Sequence, residues 1–438
     1  MNKYLILFII LLSTLLAAPA CAAVAASKPV GDGSNYTLEQ AVLRALDQNF
    51  AIKASQSGLR ASESGRLAAR GEFGPKLDSS YGYTNYQHDE DLYRWRVSLT
   101  QDIFSGFATL AAYERAALQK ESAEAALAKA RLELILTVQQ NFFAYLKARA
   151  DVRSASNSYG RLVAQLKETR SFYDVGLRPR LDVLQAEVNA SEAQDELIRA
   201  RNSVETQRAR LNTLLNIPLD ARVEYVGELA YIPFGSDLEQ CLARAYRQRP
   251  DISIAQKAIS MAERDKTSAA SSFYPNVKGE LAWATQGDSW TADGSPERAR
   301  DYSEWSVGLT GSINLFEWGK SYYEVEKSSH SITRLRMEES DLRQEVAFQV
   351  QARLIDLDNA AKRIAVARKS VEQSREAYQV ALARYREQVG TSLDVLDAQS
   401  RLTSSEVSLS GARADYLSAL AAIYAAIGEE NTNLRQGG

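Results

Sequence analysis

The sequence predicts a mainly α protein with a small β part, laid down twice in one chain. Three observations carry that expectation. First, apolar residues recur every seven positions at Val350, Leu357, Ile364, Val371, Tyr378 and Tyr385, with a stripe of small residues three positions later at Ala360, Ala367, Ser374 and Ala381. A seven-residue period marks helices packed along a supercoiled seam, and the small stripe lets backbones approach. Second, subtracting 212 returns the pattern as Val138, Tyr145, Val152, Tyr159, Leu166 and Tyr173. Third, the period switches to two at Trp95, Val97, Leu99 and Ile103, and again at Trp305, Val307, Leu309 and Ile313. Alternation of that kind marks two-faced strands.

Each long run is broken and restarts. One break is Val389-Gly390-Thr391-Ser392 before Leu393-Asp394-Val395-Leu396-Asp397; the other is Val175-Gly176-Leu177-Arg178-Pro179-Arg180 before Leu181-Asp182-Val183-Leu184. Gly390 can take the positive φ that ends a helix, and Thr391 or Ser392 can cap the next one. Shared stripes and a shared Leu-Asp-Val-Leu string make the chain an internal duplication.

Composition agrees. The chain has 438 residues, room for two or three ordinary domains, but only 23 Gly and 9 Pro, which favours few, long elements. A net charge of −3 gives no field for nucleic acid. Two His, His88 and His330, and two Cys, Cys21 and Cys241, supply neither a metal-ligand spacing nor a disulfide framework. There is no phosphate loop and no nucleophile beside a base. No cofactor, metal or catalytic residue is therefore expected, and the protein is not expected to be an enzyme. Residues 1–23 read as an export signal: Lys3, an apolar core from Tyr4 to Leu16, then Ala18-Pro19-Ala20. Pro19 and the alanine run argue against a retained membrane helix. Cys21, directly after Ala20, is a candidate for lipid attachment.

In order, residues 36–216 form the first repeat, 217–236 an irregular linker, 237–428 the second repeat and 429–438 a polar tail. Thr37 with Gln40 suggests a capping box, opening a helix that runs to about Glu72 before Gly74-Pro75 stops it. Strands are expected at about 76–87, 92–104, 276–286 and 302–315. From Gly106 to Tyr173 nothing breaks a helix, which at 1.5 Å per residue is roughly 100 Å long. Further helices are expected over Leu181–Asn216, from Leu315 to Val389 and over Leu393–Gly428. Leu238-Glu239-Gln240 repeats Leu38-Glu39-Gln40 at an offset of 200. Cys241 reads as a small buried residue and His330 as solvent-facing.

Four strands leave two unpaired edges. Their outward face carries Tyr81, Tyr83, Trp95, Trp283 and Trp305 among Val, Leu and Ile, as in a membrane barrel. In lipid a barrel must close, and four strands cannot enclose a lumen, so several chains must contribute: eight or twelve strands need a dimer or trimer. Gln101 and Gly311 interrupt the apolar face, which leaves a soluble sandwich on a helical rod as the competing arrangement.

With these residues in view, the chain resembles the TolC family of outer-membrane efflux ducts over about residues 36–428. The likeness rests on the two turns, on Phe104-Ser105-Gly106 and on Phe316-Glu317-Trp318-Gly319. It implies a homotrimer with a twelve-stranded barrel in outer-membrane lipid and a long α-helical coiled-coil tunnel in the periplasm of a Gram-negative bacterium. It further implies a periplasmic adaptor (membrane fusion) protein and an inner-membrane pump or ABC transporter as partners, in efflux or type I secretion. The competing function is a coiled-coil envelope tether without a pore. By motif, the resemblance assigns aperture acids to Asp394, Asp397 and Asp182, and adaptor docking to the tips Val175, Gly176, Leu177, Val389, Gly390 and Thr391. Around a three-fold axis each acid becomes a ring of three; like charges ~8 Å apart at an effective dielectric of ~20 repel by roughly 2 kcal/mol per pair, which favours cations. The family's Arg after Gly-Thr is Ser392 here, and its Tyr three residues before the glycine is Glu387. Arg178 and Arg180 sit on the opposite turn, and a link from either to Glu387 is the candidate closing contact.

Overall fold

A computed structural model describes residues 35–88, 91–292, 294, 302–432 and 434. The export signal and Cys21 lie outside them. The described chain runs β1 (Asn35–Tyr36), α1 (Leu38–Gln48), α2 (Phe50–Gly71), β2 (Lys76–Thr84), β3 (Leu92–Ser105), α3 (Ala108–Asp174) and α4 (Arg180–Leu214). After β4 (Glu224–Tyr225) the plan repeats as α5 (Leu238–Gln248), α6 (Pro250–Ala270), β5 (Asn276–Gly287), β6 (Tyr302–Ser312), α7 (Lys320–Arg386) and α8 (Ser392–Ile427).

The duplication is metrically regular. Helices α3 and α7 each span 67 residues, and both their ends are related by 212 positions. Helices α1 and α5 are related by 200. The extra twelve positions enter between the first and second strands of the second hairpin, in the longer β5–β6 connection.

Several expected boundaries move. The first helix does not run unbroken to Glu72: it stops at Gln48, and Asn49 caps a second helix by accepting from the Ala51 amide at 2.8 Å. Asn49 also donates to the Leu214 carbonyl at 3.0 Å, which fixes the corner. In the second repeat Pro250, tolerated at a first helical position, makes the same corner. The first strand ends at Thr84 and the last at Ser312. Helix α7 begins at Lys320, because Trp318 and Gly319 both take positive φ in a turn. The expected capping box at Thr37 and Gln40 is present.

The four strands form one antiparallel sheet in the order β2-β3-β5-β6. The register puts Tyr81 opposite Trp95, Val97 opposite Trp283, and Trp283 opposite Trp305. Residues directly opposite share a face, so these aromatics lie on one side. The other side carries Arg94, Arg96, Lys278 and Glu280; Arg96 pairs with Glu280 across it. A bulge between Asp102 and Phe104 shifts the ladder by one, so Phe104 rather than Ile103 stands opposite Val277. Both outer strands, β2 and β6, are exposed along their whole length.

The core is a belt midway along the rod. Val138, Phe142 and Tyr145 of α3 meet Val346 and Val350 of α7, Leu420, Ile423 and Ile427 of α8, and the short helices α1 and α5. The linker is part of this belt: Val223 and Tyr225 are fully buried, and the Tyr225 hydroxyl donates to Asn212 Oδ1 at 2.8 Å. Cys241 is buried there, and burial pushes its thiol up, so it stays protonated. His330 stands in solvent. Towards the sheet α3 packs on α2 and α6; towards the turns it packs on α4 and α8. The heptad stripe of α7 is buried at Val350, Leu357, Ile364, Val371 and Tyr385. In α3 the stripe holds at Val138 and Tyr145, then moves to Ala155, Ser158, Leu162, Gln165 and Thr169. Two helices, α4 and α8, flank this half of α3, and its buried face turns to meet both.

The sheet meets the helices at Gly106. Its φ is +62°, and an added Cβ would stand 2.6 Å from the Ser271 carbonyl oxygen and 2.9 Å from Tyr274 Cβ. Gly106→Ala is expected to cost about 1–3 kcal/mol and to lower the thermal midpoint followed by circular dichroism. Gly82→Ala, with open space at its Cβ position, is expected to stay within about 0.5 kcal/mol of the parent.

Candidate functional site at the helix turns

Two helix–turn–helix tips lie side by side at the end remote from the sheet. In the first, Gly176 takes φ +77° and closes α3: its amide donates to the Tyr173 carbonyl at 2.9 Å, and the Leu177 amide to Phe172 at 2.8 Å. The second tip closes differently from the sequence expectation. Gln388, not Gly390, takes positive φ, at +63°. The offset of 212 pairs Gln388 with Gly176 and Gly390 with Arg178. Gly390 is needed for closeness instead: an added Cβ would meet Arg384 and the Tyr385 amide nitrogen at 3.2 Å.

Arg178 joins the two tips. It donates through Nη2 to the Gly390 carbonyl at 3.1 Å, and its guanidinium lies 4.7 Å from the centre of the Tyr385 ring. Its Nη1 stands 3.8 Å from Asp182 on the next turn of its own segment, both side chains being mostly buried. A guanidinium stacked on a ring and held by a carboxylate is a directional clamp. Glu387 is not its partner: among the described residues Glu387 and Arg180 are exposed and neither forms an ion pair. The tie between the turns within one chain therefore runs to a backbone carbonyl, because the close approach at Gly390 brings that oxygen within reach.

Beneath the clamp sits a polar layer that sequence reasoning did not assign. Tyr385 is fully buried, and its hydroxyl shares a hydrogen bond with Thr169 at 2.9 Å. Gln165 donates to the Ser392 hydroxyl at 3.3 Å, and Gln399 to Ser158 at 3.2 Å. The available signal was polar Gln165 and Thr169 at seam spacing inside an otherwise apolar stripe.

The three candidate aperture acids have different surroundings. Asp394 closes a capping box, accepting from the Thr391 amide at 2.9 Å and its hydroxyl at 2.7 Å while its own amide donates to Thr391 Oγ1 at 3.2 Å. Those bonds from Thr391 hold its carboxyl below the usual range. Asp182, at the equivalent place 212 positions earlier, faces Arg178. Asp397 is exposed and pairs with Arg401 at 2.9 Å. Val175, Leu177, Val389 and Leu393 stand exposed around the tips, an apolar rim on an otherwise polar end.

A family model for outer membrane efflux proteins matches residues 41–216 and 241–429, nearly all of both repeats. The chain belongs to the outer membrane efflux protein family. This efflux protein is 24% identical over 403 residues to the outer membrane efflux protein BepC of Brucella suis, covering 90% of this chain and 85% of that one. It is 23% identical over 347 residues to the alkaline protease secretion protein AprF of Pseudomonas aeruginosa, covering 78% and 71%. It is 21% identical over 365 residues to the outer membrane protein TolC of Vibrio cholerae, covering 81% and 82%. Its fold is that of the Campylobacter jejuni outer membrane channel CmeC, with TM-score 0.78, 16% identity, and 92% and 87% coverage. The Vibrio cholerae outer membrane protein VceC superposes with TM-score 0.76, 18% identity, and 90% and 96% coverage. The protein is thus an outer-membrane channel of a Gram-negative bacterium, and its family is one of transport conduits, not enzymes. Among the described residues no helix is long and apolar enough to cross a membrane.

The capping box gives a titration with a definite sign. A carboxyl whose folded pKa is depressed stabilises the fold above its unfolded pKa, and that contribution is lost as pH falls through the folded value. Thr391→Ala is expected to return the Asp394 titration upward, towards an ordinary carboxylate, in carboxyl-carbon NMR. It should also speed amide exchange over Ser392–Val395 at neutral pH.

Proposed function

We propose that three copies of this chain form a passive exit duct whose periplasmic end is gated at the two helix turns. A periplasmic adaptor protein docks on the turns, and an inner-membrane pump or ABC transporter supplies the energy. The observation that carries this reading is the sheet: one apolar face, one polar face and two fully exposed edges. Backbone groups at such edges have no partner in hydrocarbon, and three sheets joined edge to edge give twelve strands, enough to enclose a lumen. The names of the relatives support both transport contexts: AprF is an alkaline protease secretion protein, and BepC an efflux protein.

At the gate, Asp394, Asp397 and Asp182 supply the acidic lining, and Arg178 with Tyr385 and the Gly390 carbonyl supplies the latch. Val175, Gly176, Leu177, Val389, Gly390 and Thr391 form the docking tips. Opening requires the two turns to separate, which breaks the Arg178 contact with Gly390 and unstacks it from Tyr385.

Purified protein in planar bilayers is expected to give discrete, cation-preferring conductance. A complete lack of conductance would favour the tether and overturn the duct. Arg178→Ala is expected to raise closed-state conductance several-fold; an unchanged value sinks the latch. Asp394→Asn combined with Asp397→Asn is expected to move the reversal potential in a salt gradient towards the unselective value.

A further inference from the structure

The chain contains its own pattern for the seam between copies. Adding 212 carries β3 and α3 onto β6 and α7, and adding 200 carries β2 onto β5; the hairpin registers agree, since Lys76 stands opposite Thr100 and Asn276 opposite Ser312. Inside the chain β3 pairs with β5. The unpaired edges β6 and β2 are the counterparts of those two strands. The same offsets convert the β3–β5 ladder into a β6–β2 ladder between neighbours. Thr100 opposite Glu280 becomes Ser312 opposite Ser80, and Ser98 opposite Ala282 becomes Thr310 opposite Gly82. Leu99 opposite Leu281 becomes Gly311 opposite Tyr81, and Phe104 opposite Val277 becomes Phe316 opposite Leu77. Ser105 opposite Asn276 becomes Glu317 opposite Lys76.

The residues that result are complementary although they differ from the internal ones. A glycine faces an exposed tyrosine, and Phe316, 70% exposed, faces Leu77, 69% exposed. An acid faces a base. The clearest case lies at the corner. Internally, Gly106 is held against Ser271 and Tyr274, with no room for a Cβ. Its counterpart is Trp318, which shares the positive φ, +51° against +62°, and is 88% exposed. The counterparts of Ser271 and Tyr274 are Gly71 and Gly74. The large and small partners have changed sides. At a corner built between copies by the same offsets, the obstacle from the Tyr274 side chain would be gone and a backbone oxygen would remain, so it would stand further apart than the internal one, with a gap the size of the indole to fill.

We propose that neighbouring copies join β6 to β2 in this register, with Trp318 of one copy seated on the Gly71–Gly74 corner of the next and Glu317 against its Lys76. The proposal rests on the trimeric reading above and adds the register and the lock. In the single chain Lys76 pairs with Glu72 at 2.6 Å and Glu317 accepts from Ser321 at 3.1 Å, so both ends are charged and locally anchored before they meet.

Full-length protein carrying Gly82→Cys with Thr310→Cys is oxidised in outer-membrane fractions with copper phenanthroline and run on a non-reducing denaturing gel. Each single variant serves as a control for Cys241. The pair is expected to give a covalent trimer, at least ten-fold more than either single variant or the shifted pair Ser80→Cys with Thr310→Cys. Stronger linking in the shifted pair overturns the register, and so does a trimer by sedimentation that links in neither pair. A single chain by sedimentation overturns the trimeric reading itself. Glu317→Lys is expected to reduce the trimer fraction several-fold, with recovery on adding Lys76→Glu. No recovery removes the ion pair from the lock.

Discussion

Backbone polar groups that cannot be left bare in hydrocarbon govern this molecule. Among the described residues, the four-stranded sheet pairs its inner edges within itself and leaves the outward edges of β2 and β6 open. An open edge in water is an aggregation hazard; in lipid it is forbidden at several kcal/mol per group. In the proposed duct the remedy is the opposite edge of another copy, β6 against β2, and the apolar face accompanies it. Tyr81, Trp95, Trp283 and Trp305 share one side only because the ladder puts them opposite one another. The helices inherit the same requirement. A seam one stripe wide cannot give a rod of 67-residue helices a core of its own, so the belt at mid-height holds one chain together, and in the proposed duct neighbouring copies cover the ends.

Duplication explains both the economy of the fold and its asymmetries. The repeats share the lengths of α1 and α5 and of α3 and α7, yet their turns are built differently. Asp182 and Asp394 occupy equivalent places, but one faces a guanidinium and the other closes a capping box. Arg178 and Gly390 are likewise equivalent, and the first reaches the carbonyl of the second. A side chain on one repeat thus fills the space that its counterpart leaves empty on the other. Trp318 and Gly106 are likewise equivalent at the opposite end, a large exposed side chain on one repeat and none on the other.

Much of this was legible in the chain. The heptads of α7, the offset of 212, the strand alternation and the box at Thr37 all depend on local periodicity or on bonds three residues apart, and each appears where the pattern put it. What escaped depended on partners distant in sequence. Asn49 breaks a helix because it bonds Leu214, 165 positions away. Gln388 takes the turn conformation that a glycine was expected to take, since Gly390 is reserved for contact with Arg384 and Tyr385. The acceptor for Arg178 is a carbonyl, and composition never reveals a carbonyl. The drift of the stripe in α3 reflects two flanking helices rather than one, which a single period cannot encode.

The belt also sets a mechanical scale. Below it, α3 continues from about Leu146 to Asp174 without interruption, an arm of roughly 40 Å at 1.5 Å per residue. A tilt of about 5° about the belt carries the end of such an arm through roughly 3–4 Å, more than a hydrogen bond survives. In the proposed duct, leverage of that size would swing a narrow mouth apart while every helix stays intact and the fulcrum barely moves.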